Sequence, residues 1–105
     1  MLDFEMFDED GVYPSEELLN YIISYDIIKG SSEKLIELVY DCWYYDYPYK
    51  HKYEENGCTM YEMSTGGWSG NEDLVGALMK NHLWWAFNWY SSRRGGHYVF
   101  KVKHE

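Results

Sequence analysis

The sequence has few of the residues that cross-link small proteins. It contains 2 cysteines in 105 residues, and they form no Cys-x-x-Cys pair, which argues against a disulfide scaffold or a structural zinc site. We expect Cys42 and Cys58 to be reduced and buried. The 4 histidines, at positions 51, 82, 97 and 104, also lack the spacing of zinc ligands. We therefore expect neither a metal nor a cofactor.

Long apolar runs are missing as well. No segment approaches the roughly 18–20 apolar residues of a membrane span, and the opening residues 1–5 are acidic. There is no internal repeat, linker or low-complexity segment. We expect one domain over residues 1–105, in the cytoplasm and without membrane contact.

Positive charge is scarce and unevenly distributed. There are 9 Lys and Arg against 18 Asp and Glu, which gives a net charge of −9. Residues 1–55 carry 14 acidic and 4 basic side chains, whereas residues 56–105 carry 4 and 5. The acidic half should repel nucleic acid and anionic membranes, so we expect no general nucleic-acid binding. It suits a basic partner surface or serves as a solubilising face.

Aromatic residues are abundant, at 20% of the chain with 12 tyrosines and 5 tryptophans. A core of this size does not need so much aromatic area, so some rings should lie at the surface, where aromatics favour binding. A homo-oligomer formed through exposed aromatics is one expectation. Tyr44, Tyr45, Tyr47 and Tyr49 form either a recognition surface or an aromatic cluster that caps a helix.

The first half of the chain predicts an arm followed by two helices. Residues 1–13 alternate acids with apolar side chains such as Leu2 and Phe4, which indicates an edge strand or an arm packed on the core. Ser15 is a candidate N-cap for a first helix that closes near Lys29-Gly30. A second helix opens at residues 31–33, with Pro48 beyond its end, and the two should form a helical hairpin.

The second half predicts strands and one further helix. The Asn56-Gly57 pair predicts a β-hairpin whose strands are residues 49–53 and 58–63. Asn71 is expected to cap a helix that stops near Asn81, and residues 82–90 and 97–102 form a second hairpin. Aromatic crowding favours a strand over 82–90, although one long helix over 72–90 also fits the pattern. The predicted class is α+β, roughly ααββαββ, with a small antiparallel sheet.

Two glycine-rich elements carry the candidate binding residues. The first is the loop Ser64–Glu72, and the second is the turn at Arg93–His97. If residues 58–63 pair with the last hairpin, the two elements lie near one another. Backbone N–H groups, two guanidiniums and a stackable tryptophan would suit a phosphate-bearing ligand. The candidate ligand-binding residues are Gly66, Gly67, Trp68, Ser69, Asn71, Arg93, Arg94 and His97.

Known phosphate and nucleophile motifs are not present. The chain has no GxxxxGK[ST] run, and residues 66–70 do not form GxGxxG after a Rossmann strand. The spacing of residues 67–70 is one residue short of a GxSxG elbow. Ser69 with His97 as its base is a weak nucleophile hypothesis, so we name no catalytic residue.

The spaced motifs resemble a family of small proteins of tailed bacteriophages and prophages. The similarity covers Thr65–Glu72, then Trp84, Trp85 and Trp89, then Ser92–Tyr98. The signature positions are Gly66, Gly67, Trp68, Ser69, Gly70, Asn71, Glu72, Arg94, Gly95, Gly96, His97 and Tyr98. The resemblance implies a phage origin and a bacterial cytoplasm, but no particular activity.

These observations leave three hypotheses for function. The first is a non-enzymatic binding protein that counters a host defence or regulatory system. It would bind a host protein or sequester a small anionic, nucleotide-like ligand. The second is a small enzyme that acts on a phosphate-bearing substrate with His97 as general base. The third is a structural or assembly subunit.

Overall fold

Two helices precede the sheet, and each begins at a serine cap. The structure, a computed structural model, describes residues 3–104. Helix α1 covers Glu16–Ser24 and helix α2 covers Ser32–Cys42. The hydroxyls of Ser15 and Ser31 accept hydrogen bonds from N–H groups in the first turns of these helices. Both predicted helix starts are therefore confirmed.

Helix α1 ends earlier than the sequence predicted. It stops at Ser24 rather than near Lys29-Gly30. The reason is Asp26, whose side chain accepts a hydrogen bond from the Ile28 N–H at 2.9 Å. Its carbonyl also accepts bonds from both N–H groups of the Lys29-Gly30 pair. Asp26 thus stabilises a non-helical turn at residues 26–30, where the helix would otherwise continue.

The predicted first hairpin is confirmed. Strand β1 covers Lys50–Glu55 and strand β2 covers Cys58–Ser64, and the two are antiparallel. Asn56 and Gly57 connect them with φ values of 50° and 81°. Asparagine and glycine tolerate these left-handed conformations, which match the twist of the flanking strands.

The predicted second hairpin is present, but its first strand is wrong over residues 82–88, which are helical. Helix α3 covers Ser69–Lys80, and a separate helix, α4, covers His82–Asn88. Strand β3 covers Trp89–Arg93, and β4 covers His97–Lys103. The order is therefore ααββααββ, with one helix more than expected. A single helix over 72–90 is wrong too, because the backbone of Asn81 interrupts it at φ −82° and ψ 81°.

Asn81 explains why aromatic residues form a helix at this point. Its side-chain oxygen accepts a hydrogen bond from the Trp84 N–H, which caps α4. Its side-chain nitrogen donates to the carbonyls of Ile22 and Tyr25 at the end of α1, both at 2.9 Å. Trp84 is then fully buried against Phe100 of β4. Tertiary packing thus outweighs the β propensity of the aromatics.

The four strands form one antiparallel sheet in the order β1-β2-β4-β3. Alternate side chains of β2, such as Tyr61 and Met63, join the main core with the helices. Helices α2 and α4 contact this side, which we call the helix face. The opposite side, the open face, carries Glu62 and Ser64 on β2 and His97 on β4. The α+β class is confirmed.

The N-terminal segment is an arm rather than a strand of the sheet. Phe7 and Pro14 form an isolated bridge, and the Ser15 N–H donates to the Met6 carbonyl at 2.8 Å. Phe4 and Met6 are partly buried against the core. The predicted Leu2 of the same arm lies outside the described residues. The two N-terminal helices precede the sheet as predicted, but α1 packs mainly against α3 rather than against α2 as a helical hairpin would.

Removing the Asn81 side chain should destabilise the protein strongly. Asn81→Ala removes the cap of α4 and the two hydrogen bonds that the Asn81 side chain donates to the carbonyls of Ile22 and Tyr25. We expect a loss of about 2–3 kcal/mol in the free energy of unfolding. Urea denaturation followed by tryptophan fluorescence measures this loss. Asn20→Ala on the exposed side of α1 is the matched control, and equal effects of the two variants would contradict the assignment.

Candidate functional site

The glycine loop and the arginine turn lie side by side, as the sequence predicted. Strand β2 pairs with β4 so that Ser64 is directly opposite His97. Beyond that pair, the Thr65 N–H donates to the Gly96 carbonyl at 3.0 Å. A Cβ at Gly96, where φ is 80°, would collide with the Thr65 hydroxyl. Only glycine allows this close approach.

Asn71 fixes the glycine loop, but it is not the predicted helix cap. Helix α3 begins at Ser69, three residues earlier than a cap at Asn71 would give, with Trp68 in the cap position and no side-chain cap. The Asn71 side chain is buried and accepts a hydrogen bond from the Tyr44 N–H at 3.0 Å. Its nitrogen donates to the Thr65 carbonyl at 3.3 Å. Asn71 therefore ties the loop to the segment that follows α2.

Trp68 is stacked within the protein. Its ring lies 4.8 Å from the ring of Tyr13 and 4.8 Å from that of Tyr44, both in stacked geometry. Two tyrosine rings therefore already stack on Trp68, and its role in binding a nucleobase stays a prediction. The signal that could have shown this is the tyrosine run of residues 44–49, which the loop must pack against.

A chain of aromatic rings surrounds the glycine loop. The Tyr44 ring lies 5.0 Å from that of Tyr45, which in turn lies 4.8 Å from that of Tyr49. Gly66 has φ 63°, and a Cβ there would clash with the Tyr45 ring. We call the set Tyr13, Tyr44, Tyr45, Tyr49, Gly66, Gly67, Trp68 and Ser69 the tyrosine surface.

On the open face, His97 joins two polar residues of β2. Its Nδ1 lies 2.6 Å from the Ser64 hydroxyl, and its Nε2 lies 3.3 Å from a carboxylate oxygen of Glu62. Tyr53 donates a hydrogen bond to the other oxygen of Glu62 at 3.0 Å, and this bond raises the pKa of the tyrosine. The structure thus pairs His97 with Ser64, whereas the sequence had suggested Ser69. Ser69 lies exposed in the first turn of α3.

The two arginines are exposed beside this cluster. Arg93 of β3 is directly opposite His97, and the bulge between Trp89 and Ser91 lies further along the same strand. Arg94 lies in the following turn. Within residues 3–104, neither guanidinium forms an ion pair. Positive charge is therefore available at one corner of an acidic protein.

The described residues contain no group of three His, Cys, Asp or Glu side chains that is placed to hold a metal ion. The strand register pairs His51 with Glu62. Both cysteines are free, with Cys42 buried and Cys58 half-buried. Burial raises the pKa of the Cys42 thiol to about 11.

None of the helices in the described part of the chain is long and apolar enough to cross a bilayer.

A second polar cluster lies between α2 and the helix face. Glu37 accepts hydrogen bonds from Lys52 at 2.9 and 2.8 Å and from the Tyr61 hydroxyl at 2.6 Å. Burial acts to raise the pKa of Glu37, but these bonds outweigh it and the pKa is lowered. Burial and the bond to Glu37 raise the pKa of Tyr61. These groups join α2 to the sheet and serve a structural purpose.

An apolar groove lies at the other end of β2 and β4. It has a volume of about 760 Å³ and is mostly apolar. Its lining residues are Ile27, Ile28, Ser32, Cys58, Leu83, Phe87, Asn88, Lys101, Lys103 and His104. Sequence reasoning missed it because it treated residues 82–90 as a strand, whereas the helix α4 places Leu83 and Phe87 one turn apart beside Ile28.

Comparison of the chain with protein-family models, with curated proteins and with solved structures finds no match. The resemblance to phage proteins accordingly stays a prediction from the sequence motifs.

The lowered pKa of Glu37 predicts how stability depends on pH. A carboxyl with a lower pKa in the folded state stabilises the fold above its ordinary pKa of 4.5. This contribution is lost as the pH falls through the lowered value. Glu37→Gln should therefore show a smaller loss of unfolding free energy below pH 4.5 than the wild type. Urea titrations across acid pH test this, with exposed Glu9→Gln as the control. If the free energy of unfolding changes with pH in the same way for the wild type and for both variants, the stabilising role of Glu37 is contradicted.

Proposed function

We propose that the protein is a non-enzymatic binding protein that recognises a basic surface of another protein through the tyrosine surface. The observation that carries this proposal is the ring stack of Tyr13, Trp68 and Tyr44 around a glycine loop. Tyrosine, glycine, serine and tryptophan are the residues that antibody paratopes use for protein contacts. Large rings with few rotatable bonds contribute contact area at a low cost in conformational entropy.

Exposure and rigidity support this use of the surface. The side chain of Tyr44 is 56% exposed although its ring is stacked on Trp68. Its backbone N–H is held by buried Asn71. Another anchor is the Trp43 indole, which donates to the Ser64 carbonyl at 2.9 Å. The surface is thus ordered before a partner arrives, which reduces the cost of binding.

The charge around the tyrosine surface indicates the partner's chemistry. Asp41 and Asp46 flank Tyr44 along the chain, and Glu72 lies in the first turn of α3. All three are exposed. A basic protein surface complements this rim and would approach faster than a neutral one.

The setting of the proposal comes from the sequence motifs. The resemblance to phage proteins supports a role in a bacterial cytoplasm, where the protein would bind a component of a host defence or regulatory system. The acidic half of the chain suits a host protein that normally holds nucleic acid. The version in which the protein sequesters a nucleotide-like ligand has less support, because Trp68 already stacks on two tyrosines.

A specific observation favours a second candidate function at the open face. Ser64, His97 and Glu62 form a hydrogen-bonded series, with Arg93 opposite His97. In a small enzyme, His97 would accept the proton of Ser64 as its hydroxyl attacked the phosphorus of a phosphate ester, and it would give that proton to the alcohol that leaves as the ester P–O bond breaks. Water, with His97 again as base, would then hydrolyse the phosphoserine and release phosphate. Glu62 would stabilise the imidazolium, and Arg93 would bind the phosphate. The same arginine would hold an anion without turnover in a sequestering protein.

The tyrosine surface is tested by a matched pair of variants. Tyr44→Ala should weaken capture of a bacterial partner at least about tenfold, as expected for a central aromatic residue. Tyr90→Ala is the control, since its side chain is 57% exposed but lies outside this surface. Quantitative pull-down from a bacterial lysate at low and high salt measures both effects. If Tyr44→Ala leaves the capture of the partner unchanged, or if high salt does not weaken that capture, the proposal is refuted.

The open face is tested with p-nitrophenyl phosphate as the probe. Under the second candidate function, the probe raises the melting temperature and is hydrolysed. Arg93→Ala then loses both effects, while Ser64→Ala loses only hydrolysis. Binding without turnover in the wild type would indicate an anion-sequestering protein. If the probe neither raises the melting temperature nor is hydrolysed, this second candidate function is rejected. The proposal for the tyrosine surface does not depend on that result.

A further inference from the structure

Strand β4 extends beyond its neighbour β3. The β3–β4 ladder stops at the pair Trp89 and Phe100, whereas β4 continues to Lys103. Residues 101–103 therefore have β2 on one side and, in the described chain, no strand on the other. A strand edge of this kind can pair with an added strand.

The groove of about 760 Å³ lies at this open edge. Leu83 and Phe87 of α4 form one wall, and Ile28 from the connection between α1 and α2 contributes to another. Phe87 is 69% exposed and Ile28 is 84% exposed. Such exposed apolar side chains around one groove mark a binding site rather than scattered surface residues.

Positive charge lines the same edge. Lys101 and Lys103 are both exposed and both line the groove. Neither ammonium forms an ion pair within the part of the chain that the structure describes. The third basic residue, His104, contacts Glu54 at 2.5 Å. The Lys101 ammonium lies over the ring of exposed Tyr90, 5.7 Å from its centroid, which is a weak contact that a carboxylate can replace. Both lysines can thus pair with an acidic partner. The acidic half of the protein is screened beyond a Debye length of roughly 8 Å at physiological salt.

We propose that residues 101–103 of β4 bind an extended peptide segment of another protein, one that alternates apolar and acidic residues. The peptide adds a strand to the sheet where β3 ends. Side chains of an added strand alternate between its two faces. On the helix face, where Val102 is buried, the apolar residues pack against Leu83 and Phe87. On the open face, the acidic residues pair with Lys101 and Lys103.

This site differs from the tyrosine surface in place and in partner. The groove lies at the Cys58 end of β2, and the glycine loop follows Ser64 at its other end. One surface suits a basic protein and the other suits an acidic strand. A protein with both would bring two partners together.

A fluorescent peptide of four valine–glutamate repeats tests the proposal by fluorescence anisotropy. We expect saturable binding, weakened at least tenfold by Lys101→Glu with Lys103→Glu. The pair Lys34→Glu with Lys80→Glu changes the net charge equally on α2 and α3 and should have little effect. A valine–lysine peptide of the same length should not bind.

Two further measurements separate strand addition from simple charge attraction. A valine–glutamate peptide with N-methylated backbone amides keeps its charge but cannot form ladder hydrogen bonds, so its binding should be lost. Amide chemical shifts should change mainly at residues 101–103 and around Leu83 and Phe87. Binding that survives N-methylation, or that the two lysine substitutions leave unchanged, would overturn the proposal. So would self-association that the same substitutions abolish, because the occupant would then be a second copy.

Discussion

The pairing of β2 with β4 is the constraint on which the rest of the structure depends. The two strands lie about 40 positions apart in the chain, and their register runs from Cys58 with Lys103 to Ser64 with His97. A slip of one residue would exchange the helix face and the open face of one strand. Tyr61 would then leave the core and Glu62 would enter it. The same register places the glycine loop beside the arginine turn and leaves the far end of β4 next to the groove.

Local signals predicted the elements whose causes are local. Ser15 and Ser31 cap helices because a hydroxyl can accept a bond from an N–H three residues later. Asn56-Gly57 forms a turn because both residues tolerate positive φ. The side-by-side placement of the loop and the turn could also be predicted, since it requires only that β2 and β4 be neighbours.

The errors occurred where distant contacts decide the outcome. Asn71 looks like a cap in sequence, but its amide bonds to Tyr44 and Thr65, and the first of these lies 27 residues away. Residues 82–88 have strand composition, yet Asn81 ties their first turn to α1. The stacking partners of Trp68 likewise come from two other parts of the chain. No local sequence pattern predicts such long-range contacts. The position of the candidate site could therefore be predicted from the sequence, but which of its side chains are exposed could not.

The bulge in β3 has a consequence for how the chain can change in length. The turn at residues 94–96 places Arg93 opposite His97 on the open face, and the bulge accommodates one extra residue, Tyr90, so that Trp89 still pairs with Phe100. Deletion of Tyr90 would leave both pairs in a regular ladder, with Arg93 still on the open face. Related chains can therefore differ by one residue at this position of β3 and still keep the arginine opposite the histidine.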